Sequence, residues 1–165
     1  MKTLKTSCAL IGFIFLGAAL PAMSGAATGD ARAGHTGNLG VGAILGAPTG
    51  LTAKYWASEM FAIDGAMAWH FSDDSRFQIH SDALWHFMIP NVKLSEGILP
   101  GYLGLGLRVL AGYHPEAGIR IPVGLSYLFG SAPLEAFAEV APVARFAPDS
   151  GIAVDGGVGL RVYFK

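Results

Sequence analysis

Downstream of about residue 37 the chain alternates apolar and polar positions with a period of two, not with the 3.6-residue period of a helix. Phe61, Ile63, Gly65, Met67, Trp69 and Phe71 share one parity, while Asp64 and His70, with small Ala62, Ala66 and Ala68, take the other. The next segment sets Phe77, Ile79, Ala83, Trp85 and Phe87 against Gln78, His80, Asp82 and His86. Ile119, Ile121, Val123, Leu125, Tyr127 and Phe129 oppose Arg120 and Ser126. Ile152, Val154, Val158, Leu160, Val162 and Phe164 oppose Asp155 and Arg161. Strand side chains point alternately to opposite faces, so each set lines one surface of a sheet.

The pattern predicts eight strands: Gly37–Leu45, Gly50–Ala57, Phe61–Phe71, Arg76–Met88, Leu99–Leu110, Gly118–Phe129, Leu134–Phe146 and Ile152–Phe164. Turn-forming residues separate them, at Gly46–Gly50, Ser72–Ser75, Pro90-Asn91, His114-Pro115, Gly130–Pro133 and Pro148–Gly151. Pro122 and Pro142 fall inside the sixth and seventh strands at similar heights. Because proline donates no ladder hydrogen bond, a bulge or local opening is expected there, with a lateral gate for lipid as its functional form.

Composition decides what kind of sheet this is. Of 165 residues, 52% are hydrophobic and 14% charged, against about 25% charged in an ordinary soluble domain. Mean hydropathy is +0.46. A disordered chain or a highly charged nucleic-acid binder does not look like this. A transmembrane helix needs about 20 consecutive apolar residues, and the longest run, Ala9–Leu20, has twelve. That run follows Lys2 and Lys5 and ends in Pro21 and small residues, the layout of a cleaved export signal over residues 1–27, with cleavage after Ala26 or Ala27. Cys8 leaves with it, so the mature domain, 28–165, has no thiol or disulfide chemistry. Its charge falls to nine Lys and Arg against twelve Asp and Glu, and nucleic acid is not an expected partner.

An apolar exported chain without a spanning helix has one other way to cross a membrane, the closed barrel. The expected fold is all-β, an eight-stranded antiparallel up-and-down transmembrane β-barrel. A soluble lipocalin-like periplasmic carrier, with the apolar face inside, is the alternative. Two features favour the membrane. Aromatics gather near strand ends, at Phe61, Trp69, Phe71, Phe77, Trp85, Phe87, Tyr127, Phe129, Phe146, Tyr163 and Phe164, as in the girdles of membrane barrels. The polar face mixes Lys54, Arg108, Arg120, Arg145 and Arg161 with Asp64, Asp82, Glu135, Glu139 and Asp155, a self-neutralised interior. Gly104, Gly106, Gly157 and Gly159 share that face and would leave room for arginine side chains.

The last strand ends Val158-Gly-Leu-Arg-Val-Tyr-Phe164, followed by Lys165. Its alternating Val158, Leu160, Val162 and Phe164 look like the signal read by the outer-membrane barrel assembly machinery. The mature chain resembles the small eight-stranded outer-membrane barrels, the superfamily of the OmpA transmembrane domain and OmpX. Gly46-Ala-Pro-Thr-Gly-Leu-Thr-Ala-Lys-Tyr-Trp56 and Arg120-Ile-Pro-Val-Gly-Leu-Ser-Tyr-Leu-Phe129 resemble an uncharacterised family of short barrels within it. The resemblance implies a monomer in the outer membrane of a Gram-negative-type cell, in contact with its lipids and lipopolysaccharide. It supplies no catalytic residues and no cofactor.

The candidate site is therefore the inward charge network of Lys54, Asp64, His80, Asp82, Arg108, Arg120, Glu135, Glu139, Arg145, Asp155 and Arg161. Buried charges are costly unless paired, so it is expected to act as a structural plug, with a gated ion path as the sharper alternative. A tight turn between the third and fourth strands would bring Asp64 beside Asp82, with His80 on the same face. These are metal-ligand residue types without a diagnostic spacing, and no metal is assigned to them. A lipid A-modifying enzyme would need a Ser–His pair, but His80 and Ser81 point to opposite faces and Ser126 has no evident base. No catalysis is expected. With both termini in the periplasm the outer loops are short, and the longest connection, Ile89–Ile98, is periplasmic, the reverse of the usual pattern.

Overall fold

A computed structural model describes residues 37–70, 76–89, 96–112 and 115–164. The expected export signal, the predicted turn at Ser72–Ser75, Pro90-Asn91 and Lys165 lie outside the described residues.

Ten strand segments form one antiparallel sheet: β1 (Leu39–Ala47), β2 (Gly50–Trp56), β3 (Phe61–His70), β4 (Arg76–Met88), β5 (Gly97–Ile98), β6 (Pro100–Ala111), β7 (Glu116–Arg120), β8 (Val123–Phe129), β9 (Leu134–Ala147) and β10 (Gly151–Phe164). Register reduces the ten to eight staves. Gly97 pairs with Phe129 and Gly101 with Leu125, so β5 continues β6 across Leu99. Arg120 pairs with Val143 and Val123 with Val140, so β7 and β8 are likewise one stave, interrupted at Ile121-Pro122. β1 pairs with β2 on one side and β10 on the other, Leu39 opposite Phe164, and the ring closes. The fold is an eight-stranded antiparallel barrel, as the alternation predicts.

Boundaries differ by two residues or more in three strands, and by one residue at several other ends. The first strand runs Leu39–Ala47, not Gly37–Leu45. Gly97 and Ile98 belong to the fifth stave, which shortens the connection after β4 relative to the predicted Ile89–Ile98. The sixth stave starts at Glu116, two residues before the predicted Gly118.

The two strand prolines do not open the wall. Ile121 N–H donates to the Pro142 carbonyl at 3.0 Å and the Pro122 carbonyl accepts from Gly104 N–H at 2.8 Å. The register against β6 and β9 is the same on both sides of Pro122. The bulge lies instead between Ala117 and Gly118, near the stave's end. Each proline lacks only its own N–H, and its carbonyl keeps the ladder, so the expected opening and the lipid gate built on it are withdrawn.

Polarity is inverted relative to a soluble protein. The outward positions carry Leu103, Leu105, Leu107, Val123, Val140, Val158 and Leu160, all about half exposed or more. The inward positions carry Lys54, Asp82, Arg120, Glu135 and Arg161, all nearly inaccessible. Outward aromatics pair near both rims, Phe61 with Trp85 at 5.3 Å and Trp69 with Phe77 at 5.0 Å between ring centroids. Eight residues separate Phe61 from Trp69 on β3. At about 3.3 Å per residue and a tilt of about 40°, the two rings stand about 20 Å apart along the barrel axis, close to the ~25 Å apolar band of membrane barrels. Tyr163, expected among these rim aromatics, turns inward and is 4% exposed.

Candidate functional site

The interior is built by parity. Each stave contributes every second residue, and the ring brings eight such rows together. At the end where β1 begins and β10 finishes, Trp56, Ala62, Leu128 and Tyr163 form an apolar cluster with Ile98 packed on it. Trp56 Nε1 donates to the Tyr163 hydroxyl at 3.0 Å, so the rings meet without stranding a polar group.

Next to that cluster Glu135 collects four donors. Its Oε1 accepts from Lys54 Nζ at 2.8 Å and Ser126 Oγ at 2.5 Å, and its Oε2 from Tyr163 Oη at 2.5 Å and Arg161 Nη1 at 3.5 Å. Lys54 also donates to His86 Nε2 at 2.9 Å. An ammonium has no acceptor, so that contact fixes His86 with its proton on Nδ1. Arg161 reaches Asp64 Oδ2 at 2.8 Å and Thr52 Oγ1 at 2.9 Å, with its guanidinium 3.8 Å from the Phe137 ring centre.

In the middle of the barrel Arg120, wholly buried, binds Asp82 and Glu139, and its Nε lies 3.6 Å from Asp155 Oδ2. Tyr102 donates to the other oxygen of Glu139 at 3.1 Å. Toward the opposite end Arg108 binds Asp155 at 2.7 Å and Glu116 at 3.0 Å, and Gln78 donates to Asp155 at 3.1 Å. Glu116 in turn accepts from Arg145 at 3.2 Å. This last pair is the most open, with side chains 20% and 32% exposed.

Asp64 and Asp82 are direct register partners on β3 and β4, as the tight-turn reading requires. His80 Nε2 stands 3.9 Å from Asp82 Oδ2. His86, further along that face, joins Lys54 instead. Among the described residues no group of three or more His, Cys, Asp or Glu is arranged to hold a metal.

All eleven residues of the sequence-derived set are inward or at the rim, and ten of them are nine-tenths or more buried, Arg145 being the exception. Seven interior partners lie outside that set: Thr52, Gln78, His86, Tyr102, Glu116, Ser126 and Tyr163. The parity of Thr52, Gln78, Tyr102 and Tyr163 was a readable signal. Glu116 escapes the expected set because it lies two residues before the predicted strand start at Gly118. With Glu116 included, six inward carboxylates face five inward cations among the described side chains, against the expected five of each. The glycines also serve differently from the expectation. A Cβ on Gly106 would strike the Asp82 carboxylate, and one on Gly159 the Phe137 ring, so the space they leave goes to the arginines' partners.

These features define a class: a closed eight-stranded barrel with an aliphatic exterior and an ion-paired interior. Among solved structures the chain is similar to the N-terminal β-barrel domain of Pseudomonas aeruginosa OprF, with a TM-score of 0.59 and 17% identity over 76% of this chain and 96% of that one. No protein-family model matches the chain. No curated protein matches it in sequence.

Proposed function

We propose that the protein is an integral outer-membrane β-barrel with a structural or surface-interaction role and no catalytic activity, its lumen closed by side chains. One observation carries this reading: the polarity of the wall. Leu105, Leu107, Val140, Val154 and Val158 stand outward while Arg120, Arg161, Glu135 and Lys54 are sealed inside. In water that arrangement would expose a continuous aliphatic belt and bury charge, each unfavourable. In a bilayer the belt meets lipid and the interior needs only internal pairing. A lipocalin-like carrier would need the reverse. The likeness to the OprF barrel domain supports the same reading.

The closed-lumen reading is supported by the ladder of pairs that crosses the interior, from Lys54–Glu135 through Arg161–Asp64 and Arg120–Asp82 to Arg108–Asp155. An interior of eight staves is filled by side chains of this size. Absence of catalysis rests on the hydroxyls: Ser126 is wholly buried and committed to Glu135, and Ser81 faces outward, away from His80. The expected partners are the lipids and lipopolysaccharide of that membrane and its barrel assembly machinery, which would read Val158, Leu160, Val162 and Phe164 on the outward face of β10. Residues 1–27 would serve as the export signal.

Cell fractionation with heat-modifiable gel migration tests the location. The protein is expected in the outer-membrane fraction, migrating faster unheated than boiled. Recovery as a soluble periplasmic protein overturns the reading. Planar-bilayer recording tests the lumen, and stable large conductance steps from purified monomer would show it open.

A further inference from the structure

The enclosed charges do not balance. The cations nine-tenths or more buried are Lys54, Arg108, Arg120 and Arg161, and the carboxylates equally buried are Asp64, Asp82, Glu135, Glu139 and Asp155. Glu116 and Arg145, at the wetter end, pair with each other. One enclosed carboxylate is therefore in excess among the described residues, and an uncompensated charge away from water is expensive.

The histidines do not supply the missing charge. His86 Nε2 accepts from the Lys54 ammonium, which only a neutral imidazole can do. His80 is 5% exposed, and its Nε2 stands 3.9 Å from Asp82 Oδ2, beyond hydrogen-bond length, with Nδ1 unpartnered.

The excess falls at one place. Asp64 and Asp82 face each other across neighbouring strands, a spacing that brings Cβ atoms to about 5 Å and makes like charges repel. Each has one oxygen on an arginine, Asp64 on Arg161 and Asp82 on Arg120. The other oxygen of each, Oδ1, is buried without a hydrogen-bond partner. Both arginines are shared: Arg161 also serves Glu135, and Arg120 also serves Glu139. The remaining groups around the pair are Lys54 on β2, the register partner of Asp64 but bonded to Glu135, and His80 on β4. Asp82 Oδ1 rests against Gly106, where even a methyl group would collide, which leaves no room there for an ion with a coordination shell.

We propose that one carboxyl of the facing Asp64–Asp82 pair stays protonated at neutral pH, making the pair a proton-binding site inside the barrel. The site balances the enclosed charge of the described residues without a metal or sodium ion. The proposal rests on the closed lumen described above. Conductance tests that closure, and the following experiment tests the proton separately.

The test is infrared spectroscopy of the folded protein in lipid or detergent at pH 7, read at the carbonyl stretch of a protonated carboxylic acid. Wild type is expected to show the band at about one carboxyl per barrel. Labelling aspartate with 13C at the side-chain carboxyl is expected to shift it. Asp64→Asn and Asp82→Asn, each checked for heat-modifiable folding, are expected to abolish it, because either amide restores the balance. His80→Gln and Glu116→Gln are expected to keep it. If Asp82→Asn fails to fold, Asp64→Asn carries the test alone. Absence of the band in wild type overturns the proposal and points to an imidazolium or a sodium counter-ion. A band unmoved by labelled aspartate, or one surviving in Asp64→Asn, overturns it equally.

Discussion

Asp82 and Arg120 stand on strands that are not neighbours, yet they meet as an ion pair directly over Gly106, the register partner of both. The intervening stave carries no side chain at that height, and the carboxylate lies across the gap. A glycine here is a requirement of the pair, not a weakness of the strand.

Gly106→Ala is therefore expected to destabilise the barrel although alanine is the smallest possible addition. The new Cβ meets the Asp82 carboxylate and the Ser81 carbonyl, and overpacking of this kind costs about 1–3 kcal/mol. Urea unfolding in lipid vesicles, followed by tryptophan fluorescence, reads the shift. An unchanged midpoint would mean that Asp82 does not occupy that space.

Removing Arg120 takes the arginine from Asp82 and Glu139, while Asp155 keeps Arg108. Arg120→Leu is expected to cost about 3–5 kcal/mol, the penalty of breaking a buried pair from one side. Arg145→Leu, at the exposed rim, is expected to cost about 0–1 kcal/mol. The same unfolding assay compares them, and equal costs would contradict the burial gradient along the barrel.

Leu107 is 58% exposed on the outward face, opposite Ser81 in mid-strand. Leu107→Arg is expected to destabilise by about 2–4 kcal/mol in a bilayer, where the charge meets hydrocarbon. In a water-soluble barrel the change would be near neutral, so vesicle unfolding of this variant separates the two settings.

Tyr163→Phe removes a donor to Glu135 and the acceptor of the Trp56 indole N–H. Leaving that N–H unpaired in an apolar cluster is expected to cost about 1–3 kcal/mol. It should also alter the emission of Trp56, which a Trp69→Phe, Trp85→Phe background isolates. No change in either reading would show that the contact carries no weight.

The barrel was legible in the sequence because a period of two is a local signal, and Phe61–Phe71 and Ile152–Phe164 display it without interruption. The inward parity of Arg120, Glu135 and Arg161 followed from the same count. What parity does not encode is partner choice. Lys54 has Asp64 as its register partner but bonds Glu135, because long side chains reach across the interior to rows set by the stagger of the closed ring. Tyr163 was misplaced by its chemistry: an aromatic near a strand end suggests a girdle, while its odd position sets it beside Arg161 and inside. At Pro122 the sequence displays the lost N–H, while the carbonyl bond to Gly104 that keeps the wall closed depends on the register of the neighbouring strand.

Three interior pairs join strands that never touch edge to edge: β2 to β9 through Lys54–Glu135, β3 to β10 through Asp64–Arg161, and β6 to β10 through Arg108–Asp155. A partly zipped sheet, however many of its hairpins are formed, holds neither of the first two, because its first and last strands are still apart. The part of the network that bridges the seam, Lys54–Glu135 with Asp64–Arg161, thus forms only when β1 meets β10, while Arg161–Glu135 and Arg120–Glu139 join neighbouring staves. It acts as a latch on the final act of folding, giving the finished cylinder a stability that no open intermediate shares.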